Sequence, residues 1–406
     1  MLKRIIYSIS ILLAIALIAG LIISYARGYR FNLEKRTLSS TGILSVNSYP
    51  DGAFVSIDGK LKTSTNATVS LSPSWYKLRI TKEGYQSWEK EIRIQGEVVT
   101  KIDALLIPNT PSIKALTTNG VAFPTLSPKG SKVVYIVNEV EEATGSGLTK
   151  PKTGVYILEL RNTALGGRIE PRQILPTSKK FTNAAFNWSQ DEKQVILFSY
   201  QKLGKKETVK EAYQISTEDI ATPIDVSLSW KRIIDEWENE KTLQKERLFE
   251  NLSPQVTKLM KNSSSDITFS PDETKILYVA TASSVLEKII DPPLIGSNST
   301  PEKRNIEKDK YYIYDLKEDK NFLLSDKISL PEMGMLKWYT DSKHILTIEK
   351  QTIYIIDYDG TNKRTVYAGP FEDNIVFPWN SPGKIVILTN FHKPDATPNL
   401  YEIDLR

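Results

Sequence analysis

Two histidines and no cysteine limit the chemistry that this chain can perform. The absence of cysteine excludes disulfides, thiol catalysis and cysteine-ligated metal sites. His344 falls in a predicted strand hairpin, and His392 falls in a loop beside Lys393 and Pro394. A lone histidine is more often structural than catalytic, and no Gly-x-Ser-x-Gly nucleophile elbow accompanies either one. Neither histidine is therefore assigned a catalytic role.

Two short stretches are similar to ion-binding or phosphate-binding loops without completing the pattern. A phosphate loop needs Gly directly before its Lys and its Ser or Thr. In "GSGLTKPKT" (145–153), Pro151 stands before Lys152 instead, so the pattern fails. "DYDGTN" (357–362) begins like a calcium loop but lacks the downstream glutamate. Its Asp359-Gly360 pair is instead typical of a hairpin turn.

Four carboxylates recur at one position of a repeated strand, which favours a structural role over catalysis. They are Glu159, Asp315, Asp357 and Asp404. The sequence therefore predicts no catalytic, cofactor-binding or metal-binding residue and no cofactor, and it leaves any ligand-binding residues unassigned.

The strands that carry these acids belong to a repeat that occurs five times. Each copy has an anchor residue, then a turn rich in Ser, Pro, Asp or Gly, then an apolar strand. The anchors are Leu126, Trp188, Phe269, Trp338 and Trp379, spaced by 62, 81, 69 and 41 residues. The last spacing matches a bare four-stranded unit of about 40–45 residues, and the longer spacings indicate insertions.

The repeat resembles the TolB-like, WD-repeat-like β-propellers over residues 111–406. That resemblance implies an all-β disc and says little about activity. We expect five blades, with Ile113–Leu116 supplying the missing outer strand of the last blade and covering its edge. A six-bladed alternative places a degenerate blade inside 216–265.

Insertions in the repeat are where binding is expected. The long connections 137–155, 199–212 and 280–311 should emerge on one face, although their composition also fits solvated loops without a ligand. Segment 229–262 has helical periodicity, with Ser253-Pro254 as the start of a second helix. Its apolar stripe predicts a helical hairpin that packs on the propeller, or alternatively a docking arm or lid.

A small β-sandwich is predicted at 43–108, ahead of the repeat. Turn signals every 8–12 residues separate alternating strands, which favours an antiparallel sandwich. The stretch resembles a PEGA domain, and this implies a non-catalytic spacer or a ligand-contact module. The matching motifs are Pro50-Asp51-Gly52-Ala53, Val55-Ser56-Ile57-Asp58-Gly59, Tyr76-Lys77-Leu78 and Lys82-Glu83-Gly84-Tyr85.

The N-terminus predicts a transmembrane anchor at 1–25 and a linker at 26–42. Residues 5–23 are uncharged and would span about 28 Å as a helix, close to the ~30 Å hydrocarbon core. A cleaved signal peptide is the alternative, because Ser24-Tyr25-Ala26 has small-x-small spacing. We therefore expect a single-pass membrane protein whose body is extracytoplasmic.

Charge placement excludes a nucleic-acid partner. The net charge of +5 is located within residues 1–42, so the folded remainder is neutral and lacks a basic footprint. The sequence therefore predicts a non-catalytic, membrane-anchored envelope protein whose propeller binds or scaffolds a protein, peptide or glycan. The alternatives are a glycan-acting enzyme that uses carboxylates near the propeller channel, and a purely structural surface-layer protein.

Overall fold

A computed structural model describes residues 2–26, 29–32, 37–138, 153–162, 169–203, 206–220, 222–324, 334–391 and 397–405. The chain is mostly β, with 46% of its residues in strands, and the described residues contain three helices. It divides into two compact units. Unit 1 comprises 1–109, 288–303 and 317–320, and unit 2 comprises 110–287, 304–316 and 321–406.

The N-terminal helix is α1 (Leu2–Ala26), and it corrects the predicted anchor. Among the described residues, none of the helices combines the length and apolar character needed to cross a bilayer. The predicted single-pass transmembrane anchor at 1–25, and the membrane localisation that depended on it, are therefore wrong. The predicted linker contains strands β1 (Tyr29–Asn32) and β2 (Thr37–Ser40).

Unit 1 contains two small sheets around one core. The first, in the order β6-β3-β9, consists of β3 (Gly42–Tyr49), β6 (Ala67–Leu71) and β9 (Val99–Leu105). The second, in the order β5-β4-β7-β8, consists of β4 (Phe54–Ile57), β5 (Lys60–Ser64), β7 (Ser74–Thr81) and β8 (Trp88–Ile94). Alternating residues such as Leu44, Val55 and Ile80 form the shared core.

One pair in unit 1 departs from the predicted antiparallel sandwich, because β3 and β9 run parallel. The chain leaves the first sheet to build the second and then re-enters alongside β3 in the same direction. Parallel strands need a long crossover of this kind.

Residues 288–303 complete unit 1 by covering the edge strand β8. The Ser299 hydroxyl accepts from the Arg93 backbone N–H at 2.9 Å, and the Gln95 side chain accepts from the Gly296 N–H at 2.7 Å. Gly296 has φ +79, and a Cβ there would lie 2.8 Å from Val98 Cγ1, so glycine is needed. This part of the 280–311 connection therefore packs against a sheet edge and protects it from further pairing.

Unit 2 contains five four-stranded sheets in its described residues, which we number along the chain. Sheet 1 consists of β11 (Ala122–Leu126), β12 (Lys132–Val137), β13 (Gly154–Glu159) and β14 (Arg172–Pro176). Sheet 2 consists of β15 (Ala184–Trp188), β16 (Gln194–Leu203), β17 (Lys206–Ser216) and β18 (Ile224–Asp225). Between sheets 2 and 3 come helices α2 (Trp230–Glu250) and α3 (Pro254–Asn262).

The remaining sheets follow the same plan. Sheet 3 consists of β19 (Ser264–Phe269), β20 (Lys275–Ala280), β23 (Tyr311–Asp315) and β24 (Lys320–Leu323), and its long connection holds the pair β21 (Ser284–Val285) and β22 (Asn305–Ile306). Sheet 4 consists of β25 (Gly334–Trp338), β26 (His344–Glu349), β27 (Thr352–Asp357) and β28 (Arg364–Ala368). Sheet 5 consists of β29 (Val376–Pro378), β30 (Lys384–Thr389), β31 (Asn399–Asp404) and the early strand β10 (Ser112–Ala115).

Sheet 5 is closed by a strand from the start of the unit, as the sequence predicted. β10 pairs antiparallel with β31, with Ile113 opposite Ile403. Beyond the strands, the Thr117 hydroxyl donates to the Asn399 side chain at 3.0 Å and accepts from the Leu400 N–H at 2.9 Å. The two ends of unit 2 are therefore joined by a sheet edge and by buried polar bonds.

The turn after each anchor residue repeats one backbone conformation. Its fourth residue has a positive φ in all five sheets, at Gly130, Glu192, Glu273, Ser342 and Gly383. In sheets 2 and 3, Ser189 and Ser270 donate to Asp191 and Asp272 at 2.6 and 2.7 Å. Asp272 is therefore a turn residue, as the repeat predicts.

The two glutamates at this turn position should respond oppositely to the same substitution. The Glu192 carboxylate accepts from the Lys129 N–H and the Ser131 hydroxyl of sheet 1, whereas Glu273 is exposed. Glu273→Gly relieves a left-handed conformation and should raise the free energy of unfolding by about 0.5 kcal/mol. Glu192→Gly leaves two inter-sheet donors without their acceptor and should lower it by about 2 kcal/mol.

Urea unfolding followed by tryptophan fluorescence measures both changes, and each variant serves as the control for the other. Equal shifts of the two midpoints would contradict the inter-sheet role of Glu192.

Candidate functional site

His344, the described histidine, is held inside an ionic network of sheet 4. Its Nδ1 lies 2.6 Å from Asp341 Oδ2, and its Nε2 lies 3.2 Å from Asp357 Oδ1. Arg364 also contacts Asp357 Oδ1, at 3.1 Å. Burial alone would lower the pKa of His344, but the two carboxylates raise it to about 9. The imidazole is therefore protonated at neutral pH with both nitrogens engaged, which suits a structural tie and not a general base.

The recurring acids lie opposite recurring bases. The first residue of the second strand pairs in register with the last residue of the third strand: Lys132 with Glu159, Lys275 with Asp315, His344 with Asp357 and Lys384 with Asp404. The Lys275 amine lies 3.9 Å from Asp315, and it also lies 4.8 Å from the Tyr358 ring of sheet 4. These carboxylates thus occupy one structural position in their sheets, opposite a basic residue.

The two loop motifs contribute no site in the described part of the chain. His392 and residues 145–152 lie outside the described residues. Asp359-Gly360 forms the predicted turn after β27, with Thr361 donating to Asp359. Asp357 is engaged by His344 and Arg364, and the described residues contain no group of three His, Asp or Glu side chains that could hold a metal.

Lys337 is a buried amine that the sequence did not reveal. It lies on the first strand of sheet 4, where its Nζ donates to the Val376 carbonyl of sheet 5 at 2.8 Å. The Nζ also lies 5.0 Å from the centroid of the Phe377 ring. Burial lowers the pKa of Lys337 to about 8. These contacts tie the first strands of two sheets together, which accounts for the residue without assigning it chemistry.

The first half of α2 packs on sheet 2, as the apolar periodicity predicts. Ile233 and Trp237 are buried against Ile196 and Phe198, and the Trp230 ring meets the Phe198 ring edge-on at 5.4 Å. This face of sheet 2 is the one directed away from sheet 1, because the alternate residues Val195 and Leu197 pack in the cluster shared with sheet 1.

The end of α2 and all of α3 pack on sheet 3. Val256, Leu259 and Met260 of α3 are buried against Ile276 and Tyr278. Ser253 caps α3 as predicted, accepting from the Val256 N–H at 3.4 Å. At the end of α2, the Phe249 ring meets the Phe269 ring edge-on at 6.0 Å.

The helical insertion therefore stands between two sheets. Sheets 5 and 1, 1 and 2, and 3 and 4 share hydrophobic clusters directly. By contrast, the facing sides of sheets 2 and 3 are covered by α2 and α3. The insertion is a wedge at this one junction, which is the packed arrangement that the sequence predicted.

An open cleft lies between the second half of α2 and α3. Its volume is about 900 Å³, within the ~300–1,000 Å³ range of ligand pockets. The α2 wall carries Lys245, Glu246 and Glu250, and the α3 wall carries Thr257, Lys258 and Lys261. The half-buried Phe249 and Leu252, which also belong to the sheet 3 cluster, line its base.

Four of the five charged side chains of this helical cleft have no ion pair or ring contact in the described part of the chain, whereas the Lys245 amine lies 5.8 Å from the centroid of the Phe249 ring. Within the described residues, none of its three lysines and two glutamates forms a salt bridge, whereas Lys241 on another side of α2 pairs with Glu238. Glu246 and Glu250 are one helical turn apart on the same wall. An apolar base between charged walls can bind a ligand, and it offers no nucleophile held by a base.

Comparison with known families and structures supports one part of the sequence analysis directly. The family model of the PEGA domain matches residues 41–109, which confirms the resemblance predicted over 43–108. A search of the curated proteins finds no match.

A search of solved structures finds chains with which this chain shares low sequence identity and low TM-scores, among them the following three. TolB from Acinetobacter baumannii is 13% identical, with a TM-score of 0.21, covering 81% of this chain and 59% of that one. An oligogalacturonate lyase in complex with manganese is 13% identical, with a TM-score of 0.22, covering 84% and 81%. Pyrococcus horikoshii acylaminoacyl peptidase is 11% identical, with a TM-score of 0.24, covering 93% and 52%.

These likenesses carry no argument about activity, because they include enzymes and every TM-score is below 0.5. The chain spans 59% of the length of the TolB structure.

The His344 network predicts a loss of stability at alkaline pH. The pKa of His344 is about 9 in the folded protein and about 6.5 in the unfolded chain. Because the folded value is higher, the stabilisation that protonated His344 contributes is fully present below pH 6.5. It declines as the pH rises through 9, by about 3 kcal/mol in the free energy of unfolding. Urea titrations at pH 6 and pH 10 measure the difference.

His344→Gln is the control, because it keeps a hydrogen-bonding side chain without a titrating group. Its stability should be lower at pH 6 and should change less between the two pH values. An equal pH dependence in wild type and variant would contradict a protonated His344.

Proposed function

We propose that this protein is a non-catalytic binding module that docks a segment of a partner protein in the helical cleft. The observation that carries the proposal is an open cleft with an apolar base and charged walls that form no salt bridges among the described residues. Rigid sheets hold both walls, since α2 and α3 are packed on sheets 2 and 3. A loop or helix presented by a rigid scaffold is a common place for binding.

The cleft favours binding over the two alternatives. A glycan-acting enzyme needs two carboxylates flanking the scissile bond, roughly 5–10 Å apart. Glu246 and Glu250 belong to one wall of the cleft and cannot stand on opposite sides of a sugar ring. A purely structural coat protein would need no concave site, so the cleft also argues against that role.

The proposal includes a five-bladed, TolB-like propeller for unit 2. Five sheets of one plan, shared clusters between neighbouring sheets and the β10–β31 pairing support it. Sheets 4 and 5 are joined by the Lys337 and Tyr339 side chains, which bond to Val376 and Gly383. Segment 216–265 forms mainly α2 and α3, so the helical wedge replaces the degenerate sixth blade that the sequence left open.

Site-specific photo-cross-linking tests the docking site. The photoreactive residue p-benzoylphenylalanine replaces Thr257 on the α3 wall, in the full chain expressed in the cells that naturally produce it. We expect a cross-linked adduct of defined mass that contains a second polypeptide, because a docked segment would contact this wall.

Leu243 provides a matched control, because it is 56% exposed on α2 and does not line the cleft. The same photoreactive residue at this position should give no such adduct. Equal labelling from both positions, or none from Thr257, would reject the helical cleft as the docking site.

A further inference from the structure

We infer that the occupant of the helical cleft is a short amphipathic helix of the partner, with an acidic flank and a basic flank on either side of its apolar stripe. This inference rests on the proposed docking function and specifies its ligand. Three properties of the cleft lead to it: the backbone of its walls, the length of its base and the distribution of its charges.

The walls exclude an extended peptide as the preferred occupant. Both walls are helices, whose backbone donors and acceptors are satisfied internally. A peptide bound as a strand gains affinity by pairing with an exposed sheet edge, and no strand lines this cleft. An occupant therefore finds no backbone partners in these walls, which favours a helix because a helix satisfies its own backbone.

The length of the helical cleft suits an occupant of two helical turns or slightly more. Helix α3 has nine residues, or about 13 Å of length, and the stretch of α2 facing the cleft runs from Thr242 to Glu250, or about 12 Å. Phe249 and Leu252 at the base offer an apolar contact for one stripe of a helix, with anchors at i, i+3, i+4 and i+7.

The charges determine how the occupant lies. Lys258 and Lys261 are three residues apart and so share one side of α3, and they face an acidic flank of the occupant. Glu246 and Glu250 are four residues apart on α2 and face a basic flank. Lys245 of the same wall lies over the Phe249 ring at 5.8 Å. A helix turned end for end would place like charges together, so the walls select one direction as well as one chemistry.

Binding of designed peptides to the full chain tests the inference. The probe is a fluorescein-labelled peptide of 16 residues with a leucine stripe, glutamates on one flank and lysines on the other. Its controls are a scrambled peptide of the same composition and a peptide with glutamates on both flanks. Fluorescence anisotropy gives the dissociation constants.

The double variant Lys258→Glu/Lys261→Glu should weaken binding of the probe about fivefold to tenfold, because it places glutamates opposite the acidic flank. The matched control Lys241→Glu changes an exposed lysine of α2 that does not line the cleft, and the affinity of this variant should stay within about twofold of wild type. A peptide with lysines on both flanks should bind the double variant more tightly than it binds wild type. That rescue separates charge recognition from a loss of folding.

The inference is overturned if the scrambled peptide or the peptide with glutamates on both flanks binds wild type as tightly as the probe, if the probe does not bind, or if the double charge reversal leaves its affinity unchanged. If one of these results is obtained and the cross-link from Thr257 is still observed, the helical occupant is rejected and the proposed docking function is retained. If the cross-link is also absent, both the helical occupant and the proposed docking function are rejected.

Discussion

The structure of unit 2 depends on covering both faces of every sheet. Consecutive strand residues point to opposite faces, and the second strands are apolar on both, as in Val133–Val137 and Ile276–Ala280. Four-stranded sheets of this kind are stable only when each face meets another apolar surface. The insertion of α2 and α3 follows from this requirement, whereas the pairing of β10 with β31 completes the edge of sheet 5.

The junction between sheets 2 and 3 meets the requirement in a different way from the others. Phe198 of sheet 2 and Tyr278 of sheet 3 are each covered by a helix, whereas Leu197 and Leu277 pack in clusters shared with sheets 1 and 4. The wedge is therefore part of the core, and removing it would expose two apolar faces at once. A deletion of the insertion would consequently report on folding before it reported on binding, and for that reason point changes on the cleft walls are more informative.

The sequence predicted the repeated elements because local patterns determine them. The Ser-Pro-Asp turn at 270–272 and the alternation of Ile276–Val279 are readable from a few neighbouring residues. The partners of the recurring acids were missed, since Lys275 and Asp315 are brought together only by strand register. The parallel β3–β9 pair and the contact of Ser299 with Arg93 depend on residues far apart in the chain, and no local pattern indicates them. The candidate cleft was missed for the same reason, although the helices that form it were predicted.

The cleft itself follows from a mismatch in length between helix and sheet. The 21 residues of α2 extend about 31 Å, whereas a six-residue strand such as β20 extends about 20 Å. The helix packs on sheet 2 from Trp230 to Trp237 and is next fixed at Phe249 on sheet 3, and residues 238–247 between these contacts are exposed. This span carries charged residues and only one large apolar side chain, Leu243, which is consistent with its solvent contact. Since α3 returns beside the second half of α2 to cover sheet 3, the two helices leave an open cleft between them that neither sheet fills. A site of this origin is shaped by core packing at both ends, which gives a bound segment a preformed surface.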